Sequence, residues 1–344
     1  MYNFIRLSRL LTATLIIALG LAGCASQRED TGKPDWISGN SKAYPAEQFL
    51  IGRGEAEIAA VARDRARADL AKIFEVSINE QSRDITEYSR TGSGGKTLAN
   101  LEASATRQIS TSTDQTLSHI EIGEVWQDPK TGRHYALAIL DRLKAEAQLR
   151  NAIQQLDSVT ATAIAAAREE NQLLRKLGHA ERAVQTQLQR RALQRQLQVV
   201  NPGGNGVPER YSLAQLLQDR NGLADRIRIS SVVTQDTSGQ LPSLIAGALA
   251  EAGFRQVNDA ANYQLESSLA TSAFKDNNWH WVHGSLSITL ISLQDRSVQG
   301  TYRWEIKQAG SQPSLARQRA LDSLATRLDN ELRQVIISFA LPQQ

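Results

Sequence analysis

The chain has 344 residues, with 39 Lys and Arg against 36 Asp and Glu, 5% aromatic residues and a single cysteine. A formal charge of +3 gives no electrostatic case for a nucleic-acid partner, and a lone cysteine leaves neither a disulfide nor a thiolate metal site. The length exceeds what one hydrophobic core usually organises, so two domains with a connecting module are expected.

The first 23 residues read as a leader. Arg6 and Arg9 make a positive start, Leu10 to Leu21 an apolar stretch, and Ala22-Gly23 a small pair before Cys24. The apolar run is shorter than the about 20 residues a spanning helix needs. This arrangement resembles a bacterial lipoprotein signal, which implies cleavage before Cys24 and acylation of its sulfur and then of its new amino group. Two or three acyl chains hold a protein on a bilayer stably, at about 0.8 kcal/mol per buried methylene. Cys24 is therefore expected to be an anchor, with the lipid bilayer as the first partner. Ala25 and Ser26 follow it, without the Asp that would mark inner-membrane retention, so the expected address is the outer membrane. Loss of Arg6 and Arg9 with the leader lowers the formal charge from +3 to +1.

Residues 24–33 form a polar tether, about 30 Å at full extension. The folded part is expected to start at Pro34-Asp35-Trp36. Phe49 to Ala56 predicts a short strand ending in glycines. Ile58 to Phe74 predicts an amphipathic helix with Ile58, Val61, Ala62, Ala66, Leu70 and Ile73 on one face. From Phe74 to Tyr88 the alternation of Phe74, Val76 and Ile78 with polar residues predicts a long strand. A Gly-rich loop at 91–96 and a helix over Leu98 to Thr111 follow. Residues 119–126 and 135–140, joined by the turn Asp128-Pro129-Lys130-Thr131-Gly132, predict a β-hairpin. Residues 34–142 thus read as an α+β domain.

Leu143 to Val200 is rich in Ala, Leu, Gln, Arg and Glu, with apolar residues spaced by three and four and Glu170 interrupting the seam. A helical hairpin over 143–200 is expected, with its corner at Gly178-His179. Pro202 to Pro208 marks a linker over 201–211. Residues 212–344 predict a second α+β domain: a short helix at 212–223, then strand, helix, three strands and a closing helix over Leu315 to Phe339.

Several ordered blocks carry a likeness. Pro34-Asp35-Trp36, Phe49-Leu50-Ile51-Gly52-Arg53-Gly54-Glu55-Ala56, Asp69-Leu70-Ala71-Lys72 and Tyr135-Ala136-Leu137-Ala138-Ile139-Leu140-Asp141-Arg142 together resemble the LPP20 family of bacterial lipoproteins, over about 34–153. The resemblance implies an envelope lipoprotein with a small α+β domain, related to flagellum-associated outer-membrane proteins and surface antigens, and no catalytic residues. In the C-terminal part, Ala246 to Phe254 followed by Tyr263 to Leu269 is similar to the α/β modules of curli-export and penicillin-binding-protein-activator lipoproteins.

Motifs that could carry chemistry are few. Gly95-Lys96-Thr97 ends like a phosphate loop, but position 90, where the first glycine belongs, is Arg90, so no nucleotide is expected. Ser93 and Lys96 match S-x-x-K without its partner motifs S-D-N and K-T-G, here inside a run of glycines. His280 and His283, three apart on a predicted strand, face opposite sides and make no metal site. No catalytic residue, cofactor or metal is therefore assigned. Trp279, Trp281 and Trp304 are expected in the core, with partner contact as the alternative; Trp279 and Trp281 are the candidate contact residues, as are Arg190 and Arg191 on a basic helix face. The implied role is a non-catalytic assembly or scaffolding factor with an envelope protein partner. A cell-wall-acting enzyme or its regulator, and a surface-exposed antigen or adhesin, stand as alternatives.

Overall fold

The computed structural model describes residues 32–39, 41–90 and 119–340, with the backbone alone for 75–90. The predicted leader, Cys24, the Gly-rich loop with Ser93 and Lys96, and the helix at 98–111 lie outside the described residues. The fold is α+β: two sheets with helices, joined by a pair of long helices.

In the first unit, β1 (Phe49–Ala56) and β2 (Glu121–Gln127) flank β3 (His134–Asp141) in an antiparallel sheet, against which α1 (Ala59–Arg90) packs. Alternate residues of β1 face inward, and two of them are Gly52 and Gly54. A Cβ on Gly52 would sit 2.4 Å from the Ala66 carbonyl oxygen, and one on Gly54 would sit 2.0 Å from that of Ala62. The helix backbone therefore lies directly on the strand. Only small residues fit beneath it, which explains Ala62 and Ala66 ahead of the larger Leu70 and Phe74, all fully buried. That close approach narrows the buried stripe. Ile58, Val61 and Ile73, expected on the same face, are instead 63%, 39% and 37% exposed.

The strand predicted for 74–88 is not formed; α1 runs through it to Arg90. No glycine or proline interrupts 59–90, and a helix already nucleated continues at one hydrogen bond per residue. Phe74, Ile78 and Ile85 are also four and seven apart, a helical spacing that the short alternation obscured.

The connecting module consists of α2 (Arg142–Glu169), capped by the Asp141 side chain, and α3 (Leu173–Val200). Their corner is at Glu170–Gln172, not at Gly178-His179. The Glu170 carboxylate accepts the backbone N–H groups of Asn171 and Gln172, each at 2.8 Å, replacing partners the turn removes. Gly178 lies buried inside α3. A single interior glycine costs a helix about 1 kcal/mol, too little to break one packed along its length.

Both ends of this pair are built into neighbouring cores. Leu149 and Ile153 of α2 and Leu193, Leu197 and Val200 of α3 share a cluster with β1, β3 and α1. At the other end, Leu174 and Leu177 belong to the core of the second sheet, and the Leu174 N–H donates to the buried Tyr263 hydroxyl at 3.0 Å. Between them Ala163, Val184, Leu188 and Ala192 pack with Leu213 and Leu216. The 28 residues of α3 span about 42 Å at 1.5 Å per residue. The pair therefore acts as a strut.

The second unit comprises α4 (Leu213–Ala224), β4 (Arg228–Asp236), α5 (Leu241–Glu251), the two-residue β5 (Arg255–Gln256), β6 (Tyr263–Asp276), β7 (Trp279–Ser292), β8 (Val298–Gly310) and α6 (Pro313–Ser338). Its sheet order is β5-β4-β6-β7-β8, with β4 parallel to β5 and β6, and the rest antiparallel. The β4–α5–β6 crossover is stopped by Gly253, whose φ of 76° only glycine takes at little cost. Leu286, Ile288 and Leu290 of β7 meet Leu324, Leu328 and Leu332 of α6 in one core. Among the described residues no helix is long and apolar enough to cross a membrane.

Candidate functional site

The strands β6 and β7 meet at a two-residue turn, Asn277–Asn278, with φ of 44° and 67°. Paired positive φ values at a two-residue loop are the type I′ geometry that matches strand twist, and Asn tolerates it. The signal was present in the Asn-Asn dipeptide. β4 pairs with β6 only as far as Leu269, whereas β6 and β7 remain paired from Tyr263–Ser292 to Asp276–Trp279, and β7 stays paired with β8 up to His280–Gly310. The distal halves of these three strands therefore stand beyond the rest of the sheet.

One face of this blade is aromatic. Phe274 and Trp281 sit directly opposite each other, their rings 6.4 Å apart and within 10° of parallel. His283 meets the Phe274 ring edge-on at 5.6 Å, and Lys307 Nζ lies 5.6 Å from the Trp281 centroid. Ser272 Oγ is 3.2 Å from His283 Nδ1, which holds that imidazole on the same face. At the tip Trp279 is 48% exposed and Phe274 46% exposed. Side chains about half open to water forgo roughly half of the about 1.5–3 kcal/mol that full burial of a large apolar side chain contributes. In a chain with only 5% aromatics, three gather at one hairpin tip. Of the three tryptophans expected in the core, Trp304 is there, 3% exposed and donating to Glu331 at 2.7 Å, whereas Trp279 is not.

The other sequence-derived candidates separate. Arg190 is 1% exposed: it pairs with Asp157 at 3.2 Å and donates to the carbonyls of Val207 at 3.0 Å and Pro208 at 2.8 Å. It therefore pins the linker to the strut and takes no part in a basic surface. Arg191, half-buried beside it, binds Glu209 through two contacts of 2.9 and 3.3 Å. Burial pushes the Glu209 carboxyl up, but its hydrogen bonds to Arg191 and Gln187 and the charges of Arg191 and Arg190 outweigh that, leaving it below the usual carboxylate range. His280 and His283 stand three apart on β7, hence on opposite faces. Among the described residues no three His, Cys, Asp or Glu gather as a metal site.

The blocks that mark the N-terminal unit are structural. Trp36, 1% exposed, donates to Glu124 at 2.5 Å; the Arg53 side chain donates to the carbonyls of Trp36 and Gly39; and Asp69 accepts the Arg53 N–H at 3.0 Å. They fasten the entering chain across the sheet to α1.

Two α+β units are joined by a helical strut, and an aromatic blade stands beyond the rest of the second sheet. Residues 34–141 match the family model described as LPP20 lipoprotein, so the chain carries an LPP20 lipoprotein domain. No curated relative matches the chain. Among solved structures, the secreted protein HP1454 of Helicobacter pylori is 15% identical, with 86% of this chain and 99% of that chain covered and a TM-score of 0.41. A lipoprotein of Caulobacter crescentus is 17% identical over 32% of this chain and 88% of its own, with a TM-score of 0.26. Lipoprotein GNA1162 of Neisseria meningitidis is 12% identical over 30% and 98%, with a TM-score of 0.22. At these scores the likenesses are loose.

Proposed function

We propose that the protein is anchored in the outer membrane by acylated Cys24, faces the periplasm, and acts as a non-catalytic scaffolding or assembly factor that engages an envelope protein. The domains served by this arrangement are 34–142, the strut 143–200, the linker 201–211 and 212–344. The observation that carries the reading is the blade tip, where Phe274, Trp279 and Trp281 are presented on a rigid three-stranded support. A strut with both ends inside hydrophobic cores keeps that tip at a fixed distance from the N-terminal unit, which suits holding a partner in place.

Photo-crosslinking from position 279 in the full acylated chain, in intact envelopes, tests this. A discrete protein adduct that is lost in Phe274→Ser/Trp281→Ser is expected, and Cys24→Ser should abolish it by releasing the chain from the membrane. Adducts to lipid alone, or an unchanged adduct in the double variant, would refute the reading.

A further inference from the structure

The sheet has a vacant strand position. β4 ends at Asp236 opposite Leu269, and the Thr237 N–H still reaches the Leu269 carbonyl at 3.2 Å. The Thr271 N–H then turns to the Thr237 hydroxyl at 3.2 Å, so Leu269 and Thr271 direct their backbone groups to the β4 side. Successive residues of a strand alternate, so Ala273 and Lys275 point N–H and C=O to that same side while Ser272 and Phe274 point theirs to β7. Beyond Thr237 nothing among the described residues accepts or donates there. Ala273 and Lys275 are exposed.

A groove of about 860 Å³ opens at this position, between the inner face of the blade and α6. Its floor is Leu269, Ala273, Val282, Ile306, Ala320 and Leu324, and hydroxyls of Thr237, Ser238, Thr271 and Ser314 line its sides. Arg317 and Asp322 also line it, and Arg317 makes no hydrogen bond or ion pair among the described residues. Gly284 sits opposite Thr271, where a Cβ would fall 2.0 Å from the Ala270 carbonyl oxygen. Only glycine fits at that point of β7 against the β6 backbone.

From this geometry we infer that the β6 edge at Ala270–Asp276, with its groove, receives an extended segment of a protein partner as an added strand continuing the line of β4. The open backbone groups of Ala273 and Lys275 supply the ladder, and alternate side chains of the guest enter the groove. The aliphatic floor selects small or medium apolar residues at every second position, and the unpartnered Arg317 selects a carboxylate. The inference rests on the reading that the protein binds a protein partner. It concerns the slot-side backbone groups and the face opposite the aromatic rings of the same hairpin, so the two can fail separately.

The test uses the mature full chain from residue 24, panned against a displayed library of random peptides of about ten residues, a length that fills one strand position. Enriched peptides are expected to alternate apolar with polar residues and to carry an acid. Bound, they should protect the Ala273 and Lys275 amides from hydrogen exchange. Ala273→Pro removes a slot-side N–H without touching the β7 ladder and should weaken binding at least about tenfold. Gln318→Trp, which fills the groove from the exposed helix face, should do the same if the proline variant fails to fold. Trp279→Ser should leave binding unchanged. No enrichment, peptides that protect neither amide, or binding that survives both blocking variants would overturn the inference. So would protection of these amides in the protein alone with concentration-dependent dimerisation, which would make the guest a second copy, or competition by glycan strands without any peptide selection.

Discussion

Replacing Arg190 by Met gives the most direct measure of what holds the strut to its linker. The side chain is 1% exposed and satisfies three acceptors: the Asp157 carboxylate and the carbonyls of Val207 and Pro208. Met restores much of the aliphatic packing but none of the donors. The carboxylate, whose side chain is only 13% exposed, is left without its counter-charge, and breaking one side of a buried pair costs about 3–5 kcal/mol. The two carbonyls are less costly, because the linker can move toward water. Removing Asp157 as well, in Arg190→Met/Asp157→Leu, eliminates the stranded charge, so the double variant should be more stable than Arg190→Met alone. Denaturant unfolding followed by helical circular dichroism reads this out as a lowered midpoint for Arg190→Met, partly recovered in the double variant. A single-variant loss below about 1 kcal/mol, or losses that simply add, would refute the argument that Arg190 compensates a buried carboxylate.

Other expectations follow from single contacts. Gly54→Val should force α1 off β1, since even a Cβ would fall 2.0 Å from the Ala62 carbonyl; a loss of at least about 1–3 kcal/mol in the thermal unfolding of the N-terminal unit is expected from overpacking, and an unchanged melting curve would refute it. Glu170 is held below the usual carboxylate range by the Gln172 N–H first and the Asn171 N–H next. A lowered folded-state pKa means stability present above the unfolded value, about 4.3, and lost as pH falls through the folded one. The stability gap between wild type and Glu170→Gln should therefore shrink on acidification, and a gap that widens would contradict the sign. Trp279→Phe should remove a water-exposed contribution to tryptophan fluorescence and leave stability within about 0.5 kcal/mol; a large destabilisation would show that the ring is packed.

The sequence disclosed the elements whose period was unambiguous. The strand at Phe49–Ala56, the hairpin ending in Asp141 and the closing helix were readable because glycine, turn chemistry and spacing agreed. The 74–88 segment was misread because three alternate apolar residues satisfy both periods over so short a span, and the length of α1 is decided by the absence of a breaker. The corner at Glu170–Gln172 was hidden because the side chain that makes it, a glutamate accepting two backbone N–H groups, carries no turn signature, whereas the conspicuous Gly178 is simply buried. Trp279 and Trp281 could be singled out by type alone. Their exposure depends on where β4 stops, a tertiary fact. For the same reason Arg190 and Arg191, adjacent in sequence, differ in fate: which face of α3 meets the returning linker is not written in local composition.

The junction of the strut with the second unit decides whether the blade is held rigidly. Glu181 of α3 lies 3.5 Å from Arg220 of α4 and 3.7 Å from Arg333 of α6, and all three side chains are at most 11% exposed. Burial holds the Arg333 guanidinium below its usual pKa against the opposing pull of Glu181; its other nitrogen donates to the Ala252 carbonyl at 2.6 Å, and its carbon lies 5.8 Å from the Phe254 ring. Among the described residues no second carboxylate pairs with either arginine. Two buried cations on one anion are tolerable only while that anion stays in place. Glu181→Gln keeps the shape and removes the charge, so Arg220 and Arg333 should repel and α4 and α6 should part from α3, while the N-terminal core, which shares no residue with the junction, stays intact. Hydrogen exchange should therefore accelerate at the α6 C-terminus and in α4 but not in β1 or β3. No change at α6 would mean that the aliphatic contacts of Leu174 and Leu177 fix the junction without help from the charges, and uniform acceleration across both units would mean that the charges act on the whole fold rather than on the junction.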